Sequence, residues 1–423
     1  MHLISLVILL LLSWLYFRWQ KVKVFWARRN VPHHPPHPIL GGLTFLQREN
    51  PAVWMKRIYK EFRTPYVGTW MFWRPALVIN SPEIARRILV KDSNVFRNRF
   101  LSSGTSDPIG SLNLFTVNDP LWTYMRRRLT VVFTAAKLRA LQRLITTKTE
   151  QLCERIRSDV SQNKLIDVRS LFADYTTDMI GAAAFGLNDN ATITGESPLR
   201  HVTKTFMRYN LHRGLSWSSI FFLPEMVDVF RFSFFPKNSI DHFKKIYRAV
   251  VKERGDFEYG ISEINDLLDV LRKIKYDAVQ NREETLRMFP SMGWLDRIAS
   301  TDYKIDDNLT IPAGTPVYVN AIGMHYDDIY YPNPEIFDPD RFMPENEAKL
   351  TPFTYMPFGG GPRNCIGQRF AYNTMRNTLA SVVQNFKILP ISDFPKPEEC
   401  SIEKRGMFLA PDRPLSVQFI PRC

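Results

Sequence analysis

The stretch Phe358–Gly367 reads Phe-Gly-Gly-Gly-Pro-Arg-Asn-Cys-Ile-Gly. Its three consecutive glycines allow the backbone to approach a flat ligand closely, because glycine has no Cβ atom to collide with it. The residues that follow carry apolar side chains at helical spacing, which predicts a helix from Gln368 to Phe386. The apolar positions are Phe370, Met375, Leu379, Val382 and Val383. Cys365 therefore lies close to a helix N-terminus and beside Arg363, where positive potential favours thiolate over thiol.

A lone cysteine on such a loop has three interpretations. A thiolate on a glycine-lined loop suits an axial ligand to a flat macrocycle better than it suits a four-ligand metal cage. A buried cysteine behind a turn is the ordinary outcome for an isolated cysteine. A phosphate-cradling loop is the third interpretation, but no Gly-Lys-Ser/Thr follows the glycines.

The decapeptide resembles the haem-binding loop of the cytochrome P-450 family, in which Phe, Gly, Arg, Cys and Gly recur at fixed spacing. In this chain those residues are Phe358, Gly361, Arg363, Cys365 and Gly367. The resemblance implies that Cys365 ligates a haem iron, the ligation that favours O–O cleavage. It also implies that Arg363 pairs with a haem propionate and that Phe358 packs beside the thiolate.

Composition limits the partners and the compartment. The 423 residues could form one large domain or two or three ordinary ones, and 45% hydrophobic residues are enough for a sizeable core. The net charge of +14 indicates an anionic partner. No compact Lys/Arg block or zinc-finger spacing is present, so a membrane surface and an acidic redox partner are favoured over nucleic acid. Four dispersed cysteines without a CxxC pair fit a reducing compartment.

The N-terminus predicts a membrane anchor at residues 1–20. Leu3–Phe17 is almost uninterrupted Leu, Ile and Val, although about 15 residues is short for a span, which needs ~20. A cleaved signal peptide is the alternative, but no small-residue cleavage site follows. Basic residues follow instead, which predicts a cytoplasmic globular part. Residues 21–42 form a basic, proline-rich linker, and this arrangement resembles the microsomal members of the family.

Two further segments have ordinary and functional interpretations. Trp122 and Arg126 lie one helical turn apart in a predicted helix, Leu121–Val132, where an arginine covering a tryptophan at the surface is the ordinary interpretation. The family's Trp-x-x-x-Arg implies instead that both residues face haem propionates. The aromatic run Trp217–Phe235 is either a core cluster or, by resemblance, a lid over the substrate channel that dips into the membrane.

The resemblance is interrupted near residues 275–283. Ile264–Ile274 resembles the segment that leads into the family's long central helix, yet Lys275–Arg282 passes directly into the family's Glu-x-x-Arg at Glu284. The Ala-Gly-x-Asp/Glu-Thr stretch of that helix does not occur in the chain. We therefore expect an internal deletion of several dozen residues, and we identify no catalytic acid–threonine pair.

Glu284 and Arg287 lie three residues apart on one predicted helix, so their side chains can meet. Alone, such a pair is usually a weak surface salt bridge. With Arg341 they resemble the family's buried Glu–Arg–Arg network, which implies a structural role in fixing the haem loop. His325 has no metal-ligand partner at suitable spacing and is interpreted as structural.

The resemblance implies a mainly helical triangular prism with a smaller β region, formed by residues 43–423. It implies a haem-dependent monooxygenase that takes electrons from an NADPH-dependent flavoprotein reductase and acts on a lipophilic substrate. It also implies residence in the endoplasmic reticulum membrane with the globular part on the cytoplasmic side. The alternative is a truncated isoform or a non-catalytic haem-binding protein that lacks distal proton delivery.

Overall fold

The apolar N-terminus forms one long exposed helix in the computed structural model, which describes residues 2–46, 48–130, 133, 135–187, 189–253, 277–391 and 400–422. This helix, α1, spans His2–Lys23 and has 22 residues. At ~1.5 Å per residue it is as long as the ~30 Å hydrocarbon core of a bilayer. Within the described residues it contributes the one candidate membrane span, Ile4–Arg29, and none of that span's apolar window is buried. The helix is therefore longer than the apolar run alone predicts.

Fifteen further helices are described. They are α2 Pro51–Phe62, α3 Pro82–Arg86, α4 Pro108–Ser111, α5 Leu121–Thr130, α6 Ala135–Ala140, α7 Gln142–Ser161, α8 Val168–Phe185, α9 Ala191–Thr194, α10 Pro198–Met207, α11 Leu211–Phe222, α12 Glu225–Val229, α13 Lys237–Glu253, α14 Asp277–Met288, α15 Ala321–His325 and α16 Gln368–Asn385. Nine described strands complete the fold. They are β1 Tyr66–Met71, β2 Arg74–Ile79, β3 Ile166–Asp167, β4 Leu295–Ile298, β5 Tyr303–Lys304, β6 Thr310–Ile311, β7 Pro316–Val319, β8 Phe386–Pro390 and β9 Ser416–Pro421.

The predicted β segments near the N-terminus and after α14 join one sheet. Its strand order is β1-β2-β7-β4, in which β1 and β2 form an antiparallel hairpin and β7 runs parallel to β2. A second sheet, in the order β3-β9-β8, closes the C-terminus. Its buried residues Ile166, Phe386 and Phe419 join one core cluster with residues of α7, α8 and α16. A mainly helical fold with a smaller β region is thus confirmed.

Local capping explains where several helices begin. The Asn50 side chain accepts a hydrogen bond from the Ala52 N–H, and Pro51 occupies the first turn of α2. The Ser81 hydroxyl accepts from the Ile84 N–H and so caps α3, as the sequence predicts. The sequence predicts that this helix continues to Val90, but α3 ends at Arg86 and Arg87–Lys91 form a π-helical turn.

The structure corrects two helix predictions. The sequence predicts one long helix from Leu138 to Val160, but the chain is divided at Leu141, between α6 and α7. In α16 the buried side chains are Thr374, Thr378 and Val382, whereas Leu379 and Val383, placed on the apolar face by their spacing, are 36% and 51% exposed. Threonines can occupy the packed face because they bond locally: the Thr378 hydroxyl bonds the Tyr175 hydroxyl across 2.7 Å and donates to the Thr374 carbonyl.

The aromatic run Trp217–Phe235 has features of both interpretations. Phe221 and Phe222 are almost fully buried in a core cluster, which agrees with a packing role. Val229 and Phe230 lie at the end of α12 and are 68% and 61% exposed. The run therefore contributes to the core and also carries an exposed apolar tip.

Candidate active site

The cysteine loop is held in place by a close contact between backbones. Gly361 has φ of +69°, and a Cβ atom added to it would lie 1.8 Å from the Leu89 carbonyl oxygen. Only glycine satisfies both constraints. Of the three consecutive glycines, Gly361 therefore makes the closest contact, and that contact is with the π-helical turn Arg87–Lys91 of the protein itself. At the neighbouring Gly360 an added Cβ would meet only side chains, the nearest at 3.3 Å from Phe353.

Cys365 presents an exposed thiol at the end of this loop. Its N–H donates to the Phe358 carbonyl at 2.9 Å, which closes the loop. Gly367 is the N-cap residue of α16, so the cysteine lies two residues before the N-cap and close to the helix N-terminus, as predicted. The Phe358 ring packs edge-on against Tyr372 of α16, with ring centres 4.9 Å apart.

Arg126 reaches the loop from α5. Its guanidinium donates to the main-chain and side-chain oxygens of Asn364, both at 2.8 Å. Burial lowers the pKa of Arg126, and the nearby charge of Cys365 opposes that shift. The structure therefore brings the positive charge of Arg126 beside Cys365.

Trp122, one turn earlier in α5, is buried between two arginines. The Arg363 guanidinium lies 4.1 Å from the centre of the indole ring, and that of Arg97 lies 5.4 Å from it. Arg363 also donates to the carbonyls of Arg97 and Val117, both at 2.9 Å. Burial, followed by the charges of two neighbouring arginines, lowers the pKa of Arg363 to about 9.

Those neighbours, Arg99 and Arg297, are site residues that the sequence did not reveal. Arg297 is 2% exposed, and its guanidinium donates to the carbonyl of Asp296 at 2.7 Å. Asp296 accepts from Arg99 Nη1 at 2.9 Å, while Arg99 Nε has no partner among the described residues. Arg363 interacts electrostatically with Asp119 as well as with Asp296, and Asp119 is also paired with Arg97, so the guanidiniums of this cluster outnumber its carboxylates. Nearly 200 residues separate Arg99 from Arg297, and no motif spacing connects them.

The site has the features that a haem requires. An exposed thiol stands on a loop next to Arg126, and a cluster of buried arginines has fewer anionic partners than charges. Burying an uncompensated cation is costly, so such a cluster favours an anionic group such as a propionate. These are the two chemical contacts that bind a haem through its iron and through its carboxylates.

The predicted charge network is assembled on the adjacent side. Glu284 and Arg287 of α14 are both fully buried and form a two-point contact, with N–O distances of 2.8 and 2.7 Å. Arg341 Nε lies 3.5 Å from the Glu284 carboxylate. Arg287 also donates to the carbonyls of His325 and Pro334, at 2.6 and 2.8 Å. These contacts join α14 to the segments around His325 and Pro334, which precede the cysteine loop in the chain.

His325 connects this network to the chain just before the loop. Its Nδ1 donates to the Arg287 carbonyl at 2.9 Å, and its Nε2 accepts from the Met356 N–H at 2.9 Å. The two bonds define a neutral tautomer. Burial lowers the pKa of His325 to about 4, with the Arg287 charge acting in the same direction. These contacts agree with a structural interpretation.

The segment expected to lead into a central helix, Ile264–Ile274, lies outside the described residues. The helix α14 starts at Asp277 and carries Glu284 in its second half. Hence the described side chains assemble the cysteine side of the site, and the sequence contains no acid–threonine motif for the opposite side.

Comparison with known proteins decides the family. The cytochrome P-450 family model matches residues 31–283 and 280–419, which together cover most of the chain. The chain belongs to the cytochrome P-450 family. It is 28% identical to cytochrome P-450 6k1 of Blattella germanica, over 99% of this chain and 96% of the relative. Cytochrome P-450 6l1 of the same insect is 26% identical over 94% and 92%, and probable cytochrome P-450 6g2 of Drosophila melanogaster is 28% identical over 86% and 88%.

Family membership confirms the resemblance described from the sequence, together with the fold class and the cofactor that the resemblance implies. Cytochromes P-450 are haem enzymes whose iron has a cysteine thiolate as axial ligand, and they act as monooxygenases. Such enzymes need a redox partner and take lipophilic substrates in general. Together with the exposed α1, the similarity to insect P-450s indicates membrane association.

The match to the family is divided near residues 280–283. The family model matches in two parts that meet at residues 280–283. The alignment with the 6k1 relative extends over 510 positions, although this P-450 has 423 residues. Several dozen positions of that relative therefore have no counterpart here.

Proposed function

We propose that the chain is a microsomal monooxygenase that inserts one oxygen atom from O₂ into a lipophilic substrate, with electrons from an NADPH-dependent flavoprotein reductase. Residues 1–20 anchor it in the endoplasmic reticulum membrane, residues 21–42 link the anchor to the globule, and residues 43–423 form the haem domain on the cytoplasmic side. The basic residues that follow the apolar run support this orientation. The net charge of +14 supports contacts with membrane lipid and with an acidic reductase.

The observation that carries the proposal is the exposed thiol of Cys365 on a loop that Gly361 fixes against Leu89. In the proposed enzyme Cys365 is the axial ligand, and Phe358 and Gly367 set the ends of the loop. Trp122, Arg126 and Arg363 would help to hold the haem, and Arg99 and Arg297 would add positive charge for its propionates. The network of Glu284, Arg287 and Arg341 is structural.

A bound haem supplies the activation of O₂, and the protein's contribution is to hold and tune it. The guanidinium of Arg126 lies beside the cysteine and holds Asn364 of the loop through two hydrogen bonds. The Cys365 N–H contact with Phe358 fixes the direction of the thiolate. The buried arginines neutralise carboxylates that would otherwise be costly to bury.

The ligand assignment is tested by the ferrous carbon monoxide spectrum of Cys365→Ala. We expect the thiolate-type band of the parent chain to disappear, whereas Cys153→Ala, which changes a buried cysteine of α7, should keep it. An unchanged spectrum in Cys365→Ala would refute the assignment.

A second candidate is a non-catalytic haem-binding protein, and the two-part family match supports it. Turnover distinguishes the two candidates. With reductase and NADPH, a monooxygenase yields oxygenated product, whereas a chain without distal proton delivery consumes oxygen and releases only peroxide. Failure to take up haem would reject both candidates.

The length of the transcript across the codons for Leu271 to Arg287 tests whether the deletion belongs to the expressed gene. A longer product that encodes the acid–threonine helix would identify this chain as one version of a complete monooxygenase. A product of only the encoded length would favour the non-catalytic candidate.

A further inference from the structure

A cleft of about 240 Å³ lies between the α10–α11 region and the C-terminal loop. Four arginines line it: Arg169, Arg208, Arg213 and Arg405. Among the described lining residues the one carboxylate is that of Glu403. The cleft therefore carries an excess of positive charge.

That charge is not neutralised by ion pairing within the described part of the chain, where none of the four arginines forms a salt bridge. Arg213 is 7% exposed and donates to the carbonyls of Ser233 and Phe234, at 3.2 and 2.8 Å. Burial lowers its pKa to about 10, with Asp107 opposing the shift, so it stays protonated at neutral pH. Arg169 likewise donates to a carbonyl, that of Pro411, at 3.0 Å.

The same cleft has an aromatic wall. The rings of Trp217 and Phe408 lie 5.7 Å apart and nearly perpendicular. Leu409, next to Phe408, donates its N–H to the Ser291 carbonyl at 3.2 Å. This bond joins the wall of the cleft to Pro290–Trp294, the segment just after Arg287 that the family resemblance implies lies at the substrate pocket.

We propose that this cleft binds the anionic head of a small amphipathic molecule, a carboxylate or sulfonate on a lipophilic body, and so selects such molecules as substrates. The choice of substrate class rests on the proposed monooxygenase function. Guanidinium groups match oxyanions in geometry, and none of the four arginines forms a salt bridge with a carboxylate of the described residues. The aromatic wall receives the apolar body.

The test compares 6-phenylhexanoate with 6-phenylhexan-1-ol, which share a body and differ in charge. Binding is measured by calorimetry on the full chain in phosphatidylcholine nanodiscs, with empty discs as the reference. We expect the acid to bind about tenfold more tightly than the alcohol. Arg208→Gln and Arg405→Gln, both at exposed positions, should each weaken acid binding about fivefold and leave alcohol binding unchanged.

Lys404→Gln is the matched control, because Lys404 is an exposed cation in the same loop that does not line the cleft. It should leave both ligands unchanged. Equal affinity for acid and alcohol, or an equal loss in Lys404→Gln and Arg405→Gln, would overturn the proposal. A third result would also overturn it: phosphatidylserine in the discs abolishes acid binding, and the arginine variants change only this inhibition by phosphatidylserine. The cleft would then bind a lipid head group.

Haem loading of the same samples separates this proposal from the proposed function. Haem-free protein that still distinguishes the acid from the alcohol would support the cleft while counting against a monooxygenase. Haem-loaded protein that does not distinguish them would overturn the cleft alone.

Discussion

At the scale of single residues, two fully buried arginines have opposite surroundings. Arg287 forms a two-point ion pair with Glu284 and donates to two further carbonyls. Arg297 is bonded to one backbone carbonyl, and the carboxylate of Asp296 beside it also accepts from Arg99. Burial, together with the charge of Arg99, lowers the pKa of Arg297 to about 9. The first arginine is satisfied by the protein, whereas the second is short of an anionic partner.

Replacing each of them with methionine should therefore have different effects. In the haem-free chain, Arg297→Met should change the free energy of unfolding by less than about 1 kcal/mol, because it removes a buried charge that has no full partner. Arg287→Met should cost about 3–5 kcal/mol, because Glu284 is left buried and unpaired. Urea unfolding measures both. In haem titrations Arg297→Met should bind haem at least about tenfold more weakly. A large loss of stability in haem-free Arg297→Met would contradict the proposed role.

His325 makes stability depend on pH. Its pKa is about 4 in the folded chain, below the ordinary value of 6.5, so the unfolded chain binds more protons between these two values. The stabilisation is complete above pH 6.5 and is lost as the pH falls toward 4, by about 1.4 kcal/mol per pH unit. Urea midpoints between pH 6.5 and 5.5 measure it. His325→Asn should have a shallower slope, and equal slopes would show that another group titrates there.

At the scale of elements, the cysteine loop depends on one glycine more than on its neighbour. Gly361→Ala adds a Cβ atom 1.8 Å from the Leu89 carbonyl at a positive φ, so the loop must move. We expect this variant to lose most of its haem loading, measured by absorbance per protein. Gly360→Ala is the control, since its nearest neighbours are side chains at 3.3 and 3.5 Å. Equal loss in both variants would contradict a specific role for the Leu89 contact.

The same loop illustrates what the sequence can predict. The spacing from Phe358 to Gly367 predicts the loop and the following helix, because these features depend on neighbouring residues. The network of Glu284 and Arg341 required a family pattern, since a pair of charges alone does not indicate burial. Arg297 was not predicted, because its burial depends on the pairing of β4 with β7. Periodicity also placed Val383 in the packed face of α16, where hydrogen-bonded threonines lie instead.

At the scale of the whole molecule, apolar side chains are exposed on the helical side of the fold. Ile180 of α8 is 51% exposed, and Leu379 and Val383 of α16 are 36% and 51% exposed. The sequence lacks the motif of the central helix, and the family match is interrupted at residues 280–283. Loss of a packing helix predicts such exposure. Exposed apolar surface in turn favours association or aggregation.

Adjacent valines of α16 test whether this face is uncovered in the protein itself. Val382 is 2% exposed and Val383 is 51% exposed. Val383→Gln should change the free energy of unfolding by at most about 0.5 kcal/mol and reduce aggregation, because the side chain already contacts water. Val382→Gln, on the packed face of the same turn, should cost about 2–4 kcal/mol through lost burial and an unpaired amide. Urea unfolding and light scattering measure the two effects. A comparable loss of stability in both variants would mean that another segment or another copy of the chain covers Val383, and the exposed face could then not be attributed to a missing helix.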